Sequence, residues 1–459
     1  MLWDLTFLIN LIFLLGLIWW RGLLTTEGLG MAMLTLLFVS DGLGLYVLAL
    51  TGMDIDYERE LRLLPNLVQL LGLLAFAGGL FVTDPSARRL EYNVNLADNP
   101  SLRRTVISVS YFLVFMGISM KIYALISWGF TSLDEYLSGM YMYQATKEGG
   151  GFMDSGLEIA CLGLGLLVAV HGESRAKQFF AITALITLTL IFSFSKSGIH
   201  YIVILLATVL YFFNRDLLKS YMKVRYAILV ILLLVLSLGI KTQLKYGRGA
   251  EVKLESDEVL TLAAATSGRR YGPFSAYRGY CFLVNRMYNN PSLYFGDQVI
   301  IHTLTGWIPR FLWPDKPGHP FHARGDLVDE LYLIDRFGND APTFAGMAYA
   351  DAGLASLLVY MSVGGIILGL IRQFVVATRR RRFLSTLWYV FFAISFGPGM
   401  EASGMMNLLY YFVFASILVL VVYLFLGMRS ILWHAFSVDE PAQKPDNDRI
   451  PTRLIGQAT

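Results

Sequence analysis

The chain is short of charge. Only 15% of its 459 residues are Asp, Glu, Lys or Arg, against 56% hydrophobic residues, and mean hydropathy is +0.56. A soluble domain cannot hide that much apolar surface, so the ordinary globular classes are excluded and an integral membrane protein remains. Cysteine is scarce as well. Cys161 falls in an expected span and Cys281 in a loop, which argues against a disulfide framework or a cysteine metal site. A formal net charge of +3 is too small to point to nucleic acid. No internal repeat is visible, and the matching broken helices of many transporters are missing. The N-terminus, MLWDLTFLINLIFLLGLIWWR, lacks a basic cluster and a small-x-small cleavage site. It reads as a retained span rather than a signal peptide.

Long apolar runs are what the chain has in their place. A helix needs about 20 mostly apolar residues to cross hydrocarbon, and about eleven stretches qualify. They cover 2–20, 28–51, 64–83, 105–128, 155–171, 178–195, 198–213, 226–240, 350–371, 383–398 and 406–427. The expected fold is therefore all-α and polytopic. Residues 1–240 carry the first eight spans, 241–349 a large extracytoplasmic loop, and 350–427 the last three. The polar stretch 428–459 is expected to be a cytoplasmic, disordered tail. Lys and Arg in alternate loops set the orientation. Arg21, Arg88, Arg89, Arg103, Arg104, Arg175, Lys177, the 215–225 cluster and Arg379 to Arg382 fall on one side, expected to be cytoplasmic. The N-terminus is then outside and the C-terminus inside.

The outer loop departs most from its surroundings. In GWIPRFLWPDKPGHPFHARGD, Pro309, Pro314, Pro317 and Pro320 forbid regular helix or sheet. A backbone held that way leaves Arg310, Lys316 and Arg324 little freedom to lose on binding. Guanidinium groups grip phosphate bidentately, and lysine adds a point charge. Trp307 and Trp313 suit either sugar faces or the headgroup belt. Upstream, Ser256 to Thr266 reads as a capped helix. A second helix is expected over 275–289, its apolar stripe formed by Phe274, Tyr277, Cys281, Val284 and Tyr288. The bland alternative is a solvated loop in which the arginines pair with Asp297, Asp315, Asp326, Asp329, Glu330 and Asp335.

IPRFLWPDKP, preceded by an arginine-rich helix and followed by TFAGMAYADAGLASLLVYMSVGGIILG, resembles the bacterial oligosaccharide repeat unit polymerases, the Wzy-type O-antigen and exopolysaccharide polymerases. The likeness is strongest over 265–370. It implies a fold of the lipid-dependent glycosyltransferase (GT-C-like) type in the bacterial inner membrane. It also implies that undecaprenyl-pyrophosphate-linked oligosaccharides serve as donor and acceptor. No metal or other cofactor is expected. A chain-length regulator and a flippase are candidate partners besides membrane lipid, and nucleic acid is not one. Arg310, Trp313, Pro314 and Lys316 carry over onto the P-R-x-x-W-P-x-K-P core, whereas Arg269, Arg270 and Arg278 match only the looser arginine-rich helix.

Breaking a sugar–pyrophosphate bond leaves new charge on the diphosphate, which fixed arginines and lysine can stabilise. An acceptor hydroxyl needs a base within reach. His322, two residues before Arg324, is the first candidate and Glu401 another; His319, Asp326 and Glu330 are also in the neighbourhood. Asp41, Lys121 and Glu158 fall within spans, where ionisable groups face a cavity or each other, and a Lys121–Glu158 pair or snorkelling is the simple account. Lys196 could hold a second lipid phosphate, and 133–141 reads as an interfacial helix. The acidic loop MDIDYERE, with Asp54, Asp56 and Glu58, keeps open an enzyme fed by polyprenyl-monophosphate sugars. A lipid-linked glycan flippase or ligase is a further alternative.

Overall fold

The structure, a computed structural model, describes residues 2–50, 56–85, 100–127, 155–171, 174–192, 198–221, 275–289, 300–308, 312–313, 315, 343–377, 382–398, 400 and 407–437. Every regular element among the described residues is a helix. In chain order these are α1 (Leu2–Arg21), α2 (Thr26–Leu50), α3 (Asp56–Thr83), α4 (Pro100–Ser127), α5 (Gly156–Val170), α6 (Arg175–Phe192) and α7 (Gly198–Phe213). There follow α8 (Arg215–Tyr221), α9 (Ser275–Asn289), α10 (Ile300–Thr305), α11 (Thr343–Ala352), α12 (Leu354–Ala377), α13 (Arg382–Phe396) and α14 (Leu408–Ser437). Leu2–Arg21, Arg59–Thr83, Pro100–Tyr123, Leu354–Ala377 and Leu408–Ser430 are long and apolar enough to cross a membrane. The chain is a multi-pass membrane protein.

Helices coincide with the expected spans except 226–240, which lies outside the described residues, as do 256–266 and 133–141. Three edges move for visible reasons. The helix α3 starts at Asp56 rather than 64, because its first turns pack beneath α9 instead of facing lipid. Gly353, with φ of +67°, breaks the run expected from 350, so α12 begins at Leu354. The Ser356 hydroxyl secures that break, donating to Ala348 O at 2.5 Å and accepting from Ala352 N at 2.8 Å. Finally, α14 continues to Ser437, past the expected tail boundary at 428.

Close helix contact comes from small residues. A Cβ at Gly79 on α3 would overlap Ser362 O, and one at Gly365 on α12 would overlap Phe76 O. Backbones pack here without intervening side chains, as membrane helices do when small residues face each other. The α4–α5 pair repeats the device at Gly117 and Gly156, where a Cβ at Gly156 would lie 2.6 Å from Gly117 O.

Pro65 interrupts α3. Proline has no N–H to give the carbonyl four residues back, so the Leu61 oxygen is freed. In a membrane protein such a group must find a partner inside the protein, at a cost of several kcal/mol if it does not. The loop helix α9 supplies it: Asn285 Nδ2 donates to Leu61 O at 2.6 Å. The Tyr280 hydroxyl donates to Pro65 O at 2.9 Å, and Tyr277 donates to Asn66 Oδ1. Burial pushes the Tyr280 phenol well above its ordinary range, which keeps it a donor. The buried face of α9 is Tyr277, Tyr280, Cys281, Leu283, Val284 and Met287. Its stripe is thus turned from the expected one, with Tyr288 65% exposed, because α2, α3 and α11 together cover a wider arc than one neighbour would. Phe274 lies outside the described residues.

Replacing Gly365 by Val should force the α3–α12 seam apart and cost about 1–3 kcal/mol, read as a lower apparent Tm of the detergent-solubilised protein. Gly78→Ala, where a Cβ meets nothing within 4 Å, should raise the same Tm slightly.

Candidate functional site

Few of the residues expected to act fall in described positions. His322, Glu401, Arg269, Arg270, Arg310, Lys316, Arg324, Pro314, His319, Asp326 and Glu330 lie outside the described residues. So do the pairing acids Asp297, Asp329 and Asp335, together with Lys196 and Asp54. Arg278 stands on α9, and Asp41, Asp56 and Glu58 on α2 and α3, but their side chains also lie outside. Trp307 and Trp313 are described and are 39% and 37% exposed. Asp315 is exposed. The structure brings one part of the expected site to a defined place, namely α9, fixed across the Pro65 break.

A second cluster was not expected. Gly22, with φ of +93°, ends α1, and Thr25 caps α2 by accepting from Gly28 N at 3.0 Å. That tight turn sets Arg21 beside Glu27, Nε to Oε1 at 2.9 Å. Arg372 on α12 reaches the same Glu27 oxygen at 3.4 Å and Asp84 Oδ2 at 3.3 Å. Arg21 closes the ring, with Nη1 donating to Asp84 O at 3.1 Å. Its Nη2 is 3.3 Å from Asp84 Oδ2, near enough for attraction though not aligned as a hydrogen bond. The four side chains are 1%, 2%, 3% and 11% exposed, for Arg21, Glu27, Arg372 and Asp84. Two cations and two anions cancel, which is how buried charge becomes tolerable. The Arg21 guanidinium also lies 5.0 Å from the Trp20 ring centroid.

Two sequence expectations change here. Arg21 is no exposed loop charge: it is tied up in the ring, so it adds nothing free to the positive side. The turn at 22–25 meets the region after α13, since a Cβ at Gly397 would lie 2.9 Å from Thr26 O and Met400 sits against Gly30. Alternating loop charge had assigned those two turns to opposite faces. Of the two accounts expected for Lys121, burial at 2% exposure removes snorkelling; Glu158 Oε2 accepts from Ser395 Oγ at 2.9 Å.

Between the ring and α9 runs a polar seam on α1 and α3. Asn10 Nδ2 donates to Asn66 O and to Thr6 O, both at 2.9 Å. Asn66 Nδ2 approaches Thr6 Oγ1 at 3.4 Å. One turn further along α3, Gln69 is fully buried, and among the described residues neither end of its amide meets a hydrogen-bond partner; the same holds for Asn10 Oδ1. Sequence reasoning missed the ring and the seam. The signals were an Arg at position 372, inside the apolar run once α12 is given its full length, and three amides within the first and third spans.

Searches against protein-family models, curated proteins and solved structures found no match to this chain.

Arg372→Met leaves one anion of the ring uncompensated and should cost about 3–5 kcal/mol. Pairing it with Glu27→Gln should recover most of the lost Tm. Gln69→Leu should have the opposite effect, raising stability by about 1–3 kcal/mol as the unsatisfied amide is removed; a lower Tm would mean that the amide is satisfied.

Proposed function

We propose that this chain is a polymerase that joins undecaprenyl-pyrophosphate-linked oligosaccharide repeat units into a surface polysaccharide at the outer face of a bacterial inner membrane. The proposal takes a GT-C-like fold of about eleven spans. One structural observation supports it above the others. The helix α9 carries Arg278 and lies just before the proline-rich segment, and it is pinned to the spans at Leu61, Pro65 and Asn66. A cationic segment attached to such a fixed helix suits a reaction in which a charged leaving group must be held still.

In this reading Arg310, Lys316 and Arg324, with Arg269, Arg270 and Arg278, hold the pyrophosphate. The bond from the anomeric carbon to the phosphate oxygen breaks as an acceptor hydroxyl of the next repeat bonds to that carbon. His322 or Glu401 takes the hydroxyl proton, and the diphosphate leaves with the electron pair of the broken bond, its charge spread against guanidinium and ammonium groups. Trp307 and Trp313, both partly exposed, offer faces to the sugars nearest the diphosphate.

Arg310→Ala should lower the rate of chain growth on the order of 10²–10³-fold. Single lipid-linked repeats should accumulate in cells that carry only the variant. Long polymer at normal abundance, from protein present at normal level, would overturn the reading.

A further inference from the structure

Ile300, Ile301 and Leu304 on α10 are 44%, 39% and 58% exposed, and Trp307 follows at helical spacing with 39%. Just beyond, Leu312 is 68% and Trp313 37% exposed. Six large apolar side chains therefore stand on the surface within fourteen residues of a segment that spans nothing. A soluble surface rarely gathers so many in one place. The helix α10 is too short to cross a bilayer, yet it packs against α14. That long apolar helix exposes Phe412, Ile417, Leu420, Tyr423 and Leu424, as a lipid-facing helix must.

We infer that residues 300–308 and 312–313 form a membrane wedge, whose aliphatic side chains enter the acyl region beside α14 while the indoles of Trp307 and Trp313 lie at headgroup level. The occupant of the surface is lipid, for two reasons. The patch continues the outer face of a spanning helix, so covering it with bilayer needs no new boundary. Its composition is that of an interfacial segment: aliphatic side chains, tryptophans at the edge, and basic residues in the same stretch of sequence, Arg310 between the two tryptophans and Lys316 after them. A second copy of the chain or a soluble protein would give no reason for tryptophan and basic residues to be interleaved in this way. The inference goes beyond the proposed polymerase activity and does not depend on it. Its consequence for any lipid-linked substrate is one of height: the chain just after the wedge starts where a lipid diphosphate sits.

The test is the depth of single nitroxide labels in the full-length protein, reconstituted in nanodiscs containing anionic lipid. Cys161 and Cys281 are buried, so Leu304→Cys, Leu312→Cys and two references can be labelled in the otherwise unchanged chain. Leu420→Cys, on the exposed face of α14, serves as the lipid reference. Lys219→Cys, with a side chain 75% exposed on α8, serves as the aqueous one. Labels at 304 and 312 should collide with oxygen several-fold more readily than with a water-soluble nickel chelate, as at 420. Access resembling that at 219 would overturn the inference, and so would a label immobilised and shielded from both quenchers, which would mean that protein covers the patch. A polymerase defect in Arg310→Ala leaves these outcomes unaffected, so the two proposals fail separately.

Discussion

A single carbonyl freed by proline organises much of this molecule. In water the Leu61 oxygen could find solvent; in an apolar surround it needs a donor from the chain itself. Asn285, 224 residues away in sequence, is that donor, and the two tyrosines beside it extend the contact to Pro65 and Asn66. A segment that composition alone would class as loop is thereby made part of the membrane domain. The same rule governs the far end of α3. Asp84 follows Leu61 by 23 residues, about 35 Å of helix, and there the unpaired quantity is charge rather than a hydrogen bond. Arg21, Glu27, Asp84 and Arg372 settle it among themselves.

Between these two ends the packing is mostly a matter of small residues. Glycines let α3 and α12 approach until backbone meets backbone, and the same holds for α4 and α5. Dispersion forces then act over a long shared face, which matters in a bilayer, where burying apolar surface gains little because the lipid is apolar too. The polar seam of Thr6, Asn10 and Asn66 adds direction to that contact: hydrogen bonds fix which faces of α1 and α3 meet. Gln69 stands apart as a buried amide without a hydrogen-bond partner among the described residues.

The sequence made the helices legible because their apolar runs are long and their breaks are marked. Glycine marks two of the breaks, at Gly22 and Gly353, and the loop helix α9 announced itself by period. Its buried face was legible only in part. Period shows that a helix has an apolar side, but the width of that side depends on how many neighbours surround it. The charge ring was invisible for a different reason. Its members sit 6, 63 and 345 residues apart in their pairings, and each looks ordinary where it stands: two at helix ends, one in a first turn, and one just past an expected span edge. Moving that edge by six residues, from 371 to Ala377, turns Arg372 from a loop charge into a buried one. The proline-rich segment was the most conspicuous feature of the sequence. Its expected residues were chosen for what guanidinium and ammonium groups do to phosphate, a choice that rests on chemistry and on resemblance rather than on geometry.

The distances along the chain also bear on how the protein is made. Helices α1, α2 and α3 emerge from the ribosome early, carrying Arg21, Glu27 and Asp84 with a net charge of minus one and a carbonyl at Leu61 that has no donor yet. Neither deficit can be corrected until Asn285 and then Arg372 have been synthesised. During that interval these first three helices must be sheltered by the insertion machinery, by water or by temporary neighbours, and their release into lipid waits on the last third of translation.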